Sequence, residues 1–380
     1  MKKFTSIAVV GLAAAIGFTS VAIADATIYG RVTAGAVHVD NDMENSNGSW
    51  DFGSNKPGLA TRVGFKGDQD LGNGMSAGFQ IERGVDATFG KRHNLVYLSG
   101  GWGKLTLGNQ NNPFMNARNW DQTYFYGGNW GHGAGYRHEG INYSMSNGPF
   151  SLNIMAMATS GNTQDAAGEI DASGLMGTTT NGVTETSNDD SIDGWILHAG
   201  YDFGVAAVNV AHQADNKDFD ITTAASSTQG DQAALATGLN NDAVDLNASR
   251  SLTAIGVNGS VGAMDWYLAY QTTELNAGGN GYEDNDVDSV GGFLGFNMSD
   301  KDTVYVYYVA HSGDRASAYD DNGTQRMLGE DYTETIVGYS RDMGPGLRFI
   351  GEYAAHDHDL DGSNVGSDRS RLALAIRYVF

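Results

Sequence analysis

The end of the chain sets the pattern for the whole. Leu372, Leu374, Ile376, Tyr378 and Phe380 fall on one side of a period-two repeat, and Arg371, Ala373, Ala375 and Arg377 on the other. Such alternation marks a β-strand, whose successive side chains point to opposite faces. What constrains the fold is that the alternation keeps returning. Val63 and Phe65 oppose Arg62 and Lys66, while Ala77, Phe79 and Ile81 oppose Gly78, Gln80 and Glu82. Trp195, Leu197, Ala199, Tyr201 and Phe203 share one side, as do Trp266, Leu268 and Tyr270. Tight turns such as Asp70 to Gly74, Asn147-Gly148 and Ser299 to Asp302 alternate with long polar gaps, and Asn-Gly is a strong hairpin signal. Taken in order, these segments predict an all-β chain of about sixteen antiparallel strands of roughly ten residues each. An even set of such strands, joined by short turns at one end and long loops at the other, predicts a transmembrane β-barrel of the outer-membrane type. A soluble barrel or propeller would place its polar residues outside.

The N-terminus reads as an export signal. Lys2 and Lys3 precede an apolar run from Ile7 to Phe18, and Ala22-Ile23-Ala24 has the form of a cleavage site. Residues 1–24 are therefore expected to be removed, leaving 25–380 as a single barrel domain. Removing Lys2 and Lys3 leaves 20 basic side chains against 45 acidic ones, which excludes nucleic-acid binding through a basic face. No cysteine is present, so neither a disulfide framework nor a thiolate metal site is available. The 53 glycines with only 4 prolines and no G-x-y period suit close strand packing and tight turns rather than collagen or a proline-rich linker.

One gap differs from the other long ones. Those are acidic, whereas the stretch from Gly108 to Arg137 carries Phe114, Trp120, Tyr124, Phe125, Tyr126 and Trp130, with Arg118 and Asp121 as its fixed charges. Each aromatic gains free energy from burial, so this third loop is expected to fold back into the barrel lumen and narrow it. Aromatics near strand ends, among them Tyr29, Trp102, Tyr201, Trp266 and Tyr378, are expected in the interfacial girdles.

Four stretches belong together: Ile28-Tyr29-Gly30-Arg31, then Thr61-Arg62-Val63-Gly64-Phe65-Lys66-Gly67 leading into Asp70-Leu71-Gly72-Asn73-Gly74, then Leu105-Thr106-Leu107-Gly108, and the terminal Arg377-Tyr378-Val379-Phe380. With these the chain resembles a known family, the general diffusion porins of Gram-negative outer membranes. The resemblance implies a homotrimer of sixteen-stranded barrels in outer-membrane lipid, each a passive channel for ions and small hydrophilic solutes, with no cofactor. By position, Arg31, Arg62 and Arg92 match the basic wall of the constriction, with Arg137 completing it and Glu82 nearby. Asp121 matches the acid of the third loop, although related loops often bring two. Arg137 has the parity of Ile141 and Tyr143, so a bulge between them would be needed to turn it inward. Ile376, Tyr378 and Phe380 resemble the terminal signal by which such barrels are recognised for insertion.

Other readings rest on particular residues. Trp120, Tyr124, Phe125, Tyr126 and Trp130 could stack on sugar rings, as in a saccharide-selective porin, or simply pack the loop against the wall, which requires no ligand. Acidic loops of this kind would also serve a surface adhesin or a calcium-dependent structural protein. Asp357, Asp359 and Asp361 with Gly362 have the spacing of a calcium loop, and Asp368 falls at its twelfth position. Strands rather than helices are expected on both flanks, so a loop-bound calcium rests on spacing alone. No nucleophile elbow, H-E-x-x-H or phosphate-binding glycine loop is present, so the sequence predicts no enzyme.

Overall fold

Seventeen strands form one sheet that closes on itself. In chain order they begin β1 (Asp25–Asn41), β2 (Ser49–Ser54), β3 (Arg62–Gly72), β4 (Met75–Gly84), β5 (Lys91–Gly100) and β6 (Gly103–Asn111). A single helical turn, α1 (Met115–Arg118), precedes β7 (Arg137–Asn147), β8 (Phe150–Met157), β9 (Gly194–Asp202), β10 (Ala207–Ile221) and β11 (Val244–Val261). Then come β12 (Met264–Ala277), β13 (Asn285–Asn297) and β14 (Asp302–Gly313), a separate two-stranded hairpin of β15 (Ala316–Tyr319) and β16 (Gln325–Leu328), and finally β17 (Asp331–Gly344), β18 (Leu347–Asp359) and β19 (Arg369–Val379). The computed structural model describes residues 25–41, 49–54, 61–85, 90–118, 123–125, 137–158, 192, 194–221, 244–277, 285–313, 316–319, 325–328, 331–359 and 369–380. The expected leader, 1–24, lies outside them.

Both β2 and β3 pair with β1, at Ala34–Val39 and Asp25–Arg31 respectively, so they are two lengths of one barrel strand. That makes a closed barrel of sixteen antiparallel strands. Closure is made by β1 against β19. It is completed when Gly30 N–H donates to the Phe380 carbonyl at 3.0 Å and Phe380 N–H donates back to Gly30 at 3.1 Å. Gly30 has to be glycine, because a Cβ there would lie 2.5 Å from the Arg62 carbonyl oxygen and 2.8 Å from the Phe380 ring. With no free edge, every barrel strand has two ladder partners, as lipid requires.

The period-two pattern sorts the side chains as expected. Ile28, Val32, Phe65, Val96, Ile141, Ile154, Leu268, Val290, Val337 and Ile376 point outward and are exposed, which suits hydrocarbon. Trp102, Tyr201, Tyr353 and Tyr378 are also exposed. Tyr29 corrects the girdle expectation: it shares the inward parity of Arg31, and its hydroxyl accepts a bond from Gln80 Nε2 at 2.7 Å. Strand extents differ as well. β10 and β11 continue through the polar ends 214–221 and 244–249, read from sequence as loop, and pair there in unbroken register. The segment 313–331, also read as loop, contains the β15–β16 hairpin. β2 has too short an alternation to announce itself.

Two apolar clusters seat the described part of the third loop on the inner wall. Phe114, Met115 and Ala117 join Met155, Met157, Ile196, Ala211, Leu252 and Ala254 from the inner wall in one buried cluster, which seats α1 against β9–β12. Ala117 comes so close that its carbonyl oxygen would lie 1.8 Å from a Cβ on Gly256. A second cluster contains Val37, Tyr267, Phe293, Tyr305, Tyr307, Ile336 and Ala354, and Tyr124 and Phe125 pack against it.

Candidate functional site: a latched loop and a basic wall

The third loop leaves β6, rests α1 on β9–β12, and reappears at residues 123–125 on the wall made by β14, β18 and β19. The inward fold expected from its aromatics is what the described part of the loop adopts. Burial of Phe114, which is fully inaccessible, supplies one anchor. Asn112 supplies a polar one, accepting from Phe114 N–H at 2.8 Å and donating to Gln213 Oε1 at 2.9 Å.

A second anchor lies on the far wall. Glu352 on β18 accepts the backbone N–H of Tyr124 at 2.5 Å through Oε1 and that of Phe125 at 2.7 Å through Oε2. The Tyr305 hydroxyl also donates to Glu352 Oε1. Arg348 and Arg377, directly opposite each other on β18 and β19, bracket the same residues. Arg348 Nη1 donates to the Tyr124 hydroxyl. Arg377 Nη2 donates to the Tyr124 carbonyl at 3.2 Å, while its Nε holds Thr33 Oγ1 at 3.2 Å. The Arg377 guanidinium carbon sits 5.1 Å from the Tyr124 ring centre and 5.7 Å from that of Phe125, within cation–π range. A buried carboxylate is costly unless donors surround it, and here two backbone amides and a phenol donate to Glu352. Sequence reasoning missed Glu352, Arg348 and Tyr305. Parity alone placed Arg377 on the inner face, and nothing local tied it to a loop far away in sequence.

Continuing round the barrel from β19, the strands β1, β3, β4 and β5 carry the basic wall. Arg31 and Arg62 face one another in register on β1 and β3. Glu82 on β4 is buried between two arginines, 2.6 Å from Arg92 Nε and 3.5 Å from Arg62 Nη1. Arg92 reaches it because of a bulge. Pairing of β4 with β5 jumps from Glu82↔His93 to Arg83↔Lys91, leaving Arg92 as the extra residue. An unbroken strand would have put Arg92 on the lipid-facing parity of Asn94 and Val96, where an arginine costs about 2–4 kcal/mol near midplane. His93, also unforeseen, is buried beside Glu82.

Arg137 needs a correction. The bulge imagined on its own strand is absent, since β6 and β7 pair continuously from Asn111↔Arg137 to Lys104↔Ser144. Arg137 is the first residue of β7, where the strand meets the loop, and it lies within electrostatic range of His93. So the structure brings Arg31, Arg62, Glu82 and Arg92 onto one wall and leaves Arg137 at its edge. Asp121, Trp120, Tyr126 and Trp130 lie outside the described residues. Of the acidic set on the last loop, Asp361 and Asp368 lie outside them too, and Asp357 and Asp359 are on β18. Among the described residues no three His, Asp or Glu gather as a metal site.

Known proteins point the same way as the geometry. Residues 11–361 match the model of the Gram-negative porin family. The major outer membrane protein P.IB of Neisseria meningitidis serogroup B is 35% identical over 116 residues, covering 28% of this chain and 35% of the relative's length. The chain thus matches only about a third of that curated relative. The anion-selective porin from Comamonas acidovorans superposes with a TM-score of 0.65 at 17% identity, over 94% of this chain and 100% of that one. The trimer form of OmpT from Vibrio cholerae gives 0.61 at 16% identity, over 94% and 99%. At such identities the superpositions speak for the fold. With the family match over most of its length, the closed barrel and the inward third loop, the chain belongs to the Gram-negative porin family and is an outer-membrane protein.

Proposed function

We propose that the protein is a passive channel, not an enzyme, through which ions and small hydrophilic solutes diffuse across the outer membrane without energy coupling or a cofactor. One observation carries this reading: the third loop folds into the lumen and is fastened to the β18 wall by Glu352, while the strands that follow β19 round the barrel bear Arg31, Arg62 and Arg92 with Glu82. A loop held inside the lumen narrows the barrel, and fixed charges in a narrowed, water-filled passage orient polar solutes and hinder apolar ones. On this reading Arg31, Arg62, Glu82 and Arg92 line the constriction and Asp121 contributes from the loop side. Tyr124 and Phe125 serve as packing, because both are committed to the wall. This favours the general channel over a saccharide-stacking loop. Assembly as a homotrimer is part of the proposal, supported by the trimer form of the V. cholerae OmpT.

The test is a liposome swelling assay with purified protein in isosmotic sugars and amino acids of graded size. A passive channel gives swelling rates that fall smoothly with solute size. Swelling no faster than in protein-free liposomes would overturn the proposal.

A further inference from the structure

Part of the lumen wall has a chemistry that the charged constriction does not use. On the short-turn side of the third loop, a recess of about 230 Å³ lies between α1 and β4–β8, lined largely by carboxamides and hydroxyls, among them Gln80, Thr106, Asn116, Asn142, Ser144 and Asn153. No carboxylate lines it, and its one charged residue is Lys104. That ammonium is already engaged, since Lys104 Nζ sits 3.7 Å from the centre of the Tyr97 ring. A cationic solute would therefore find no counter-charge there, and an anionic one a single ammonium held against an aromatic face.

The amides are held in place and part of their capacity is unspent. Asn153 Nδ2 donates to His198 Nδ1 at 2.9 Å, His198 Nε2 meets Asn209 Oδ1 at 3.1 Å, and Asn209 Nδ2 donates to Asn258 Oδ1 at 3.3 Å. This relay across four neighbouring strands fixes the orientation of the Asn153 carboxamide. Asn142 lines the recess at 8% exposure, and its Oδ1 accepts no hydrogen bond from any protein group, so that acceptor is not spent within the wall. Asn116 is exposed on α1. A carboxamide carries a donor pair and an acceptor side by side, which matches the adjacent hydroxyls of a sugar ring.

We propose that this recess is a subsite for a neutral polyol of monosaccharide size, held briefly on the amide wall during passage. The proposal rests on the channel reading and adds a solute class and a place to it. Binding at an open, hydrated wall exchanges water for ligand hydroxyls, so it is weak and fast, as transit requires.

The test is open-channel current noise from the purified protein in a planar bilayer, with glucose compared against a polyethylene glycol of equal hydrodynamic size. The proposal expects glucose to add noise beyond that of the polymer, and expects the excess to be lost in Asn142→Leu and in the surface variant Asn116→Ala. Equal noise from the two solutes, or an excess kept in both variants, would overturn it. Unit conductance in potassium chloride alone separates the two proposals: a conducting channel blind to glucose rejects the subsite only, while a non-conducting protein rejects the channel itself.

Discussion

Glu352 receives the backbone N–H of Tyr124 at 2.5 Å, from a residue 228 positions away in the chain. It also holds Phe125 N–H and the Tyr305 hydroxyl. Hydrogen bonds to a charged group contribute about 1.5–3 kcal/mol each, so this carboxylate is the strongest polar tie between the third loop and the β18 wall. Glu352→Ala is expected to free residues 123–125 and leave two backbone donors unmet. Its single-channel conductance should be larger and noisier than that of wild type, and its melting temperature lower. Conductance identical to wild type would show that the apolar contacts of Tyr124 and Phe125, with Arg348 and Arg377, hold the loop without Glu352.

Glu82 lies between Arg62 and Arg92 and offsets their charge. Glu82→Gln keeps the shape and removes the charge, so reversal potentials in a salt gradient should shift toward anions. Arg62→Ala should shift them toward cations. Both shifts should shrink as ionic strength rises, because the Debye length falls from about 30 Å at 0.01 M to about 3 Å at 1 M. Unchanged potentials in both variants would place this pair outside the narrow region.

Gly30 and Phe380 close the barrel by exchanging backbone hydrogen bonds beneath the Phe380 ring. Deleting Phe380 removes that exchange. Gly30→Val brings a side chain against the Arg62 carbonyl and the ring. Both variants should yield much less heat-modifiable barrel on semi-native gels after expression. Normal yield from the deletion would show that the strand register alone closes the sheet.

Bulges, partners and strand ends mark where the sequence becomes hard to read. Which face of a strand meets lipid is legible, because hydrocarbon outside and a polar lumen inside force residues such as Val63 and Phe65 apart from Arg62 and Lys66. The inward third loop is legible for a related reason: Phe114, Tyr124 and Phe125 have no apolar environment on an extracellular tip. The bulge at Arg92 is not, since it depends on a one-residue mismatch between β4 and β5 that neither strand reveals alone. The Glu352 latch is hidden because its partners on the loop are backbone amides, which every residue but proline possesses. β10 and β11 run past their apolar stretches since, above the lipid, a strand needs ladder partners and no greasy face.

The central claim is that this barrel conducts passively through a lumen narrowed by a fastened loop. It is tested most directly by adding the purified, heat-modifiable protein to a planar bilayer and recording current against voltage. The account predicts discrete upward steps of uniform size with current linear in voltage near zero. A correctly folded barrel that inserts without raising the current above that of the bare bilayer would contradict it.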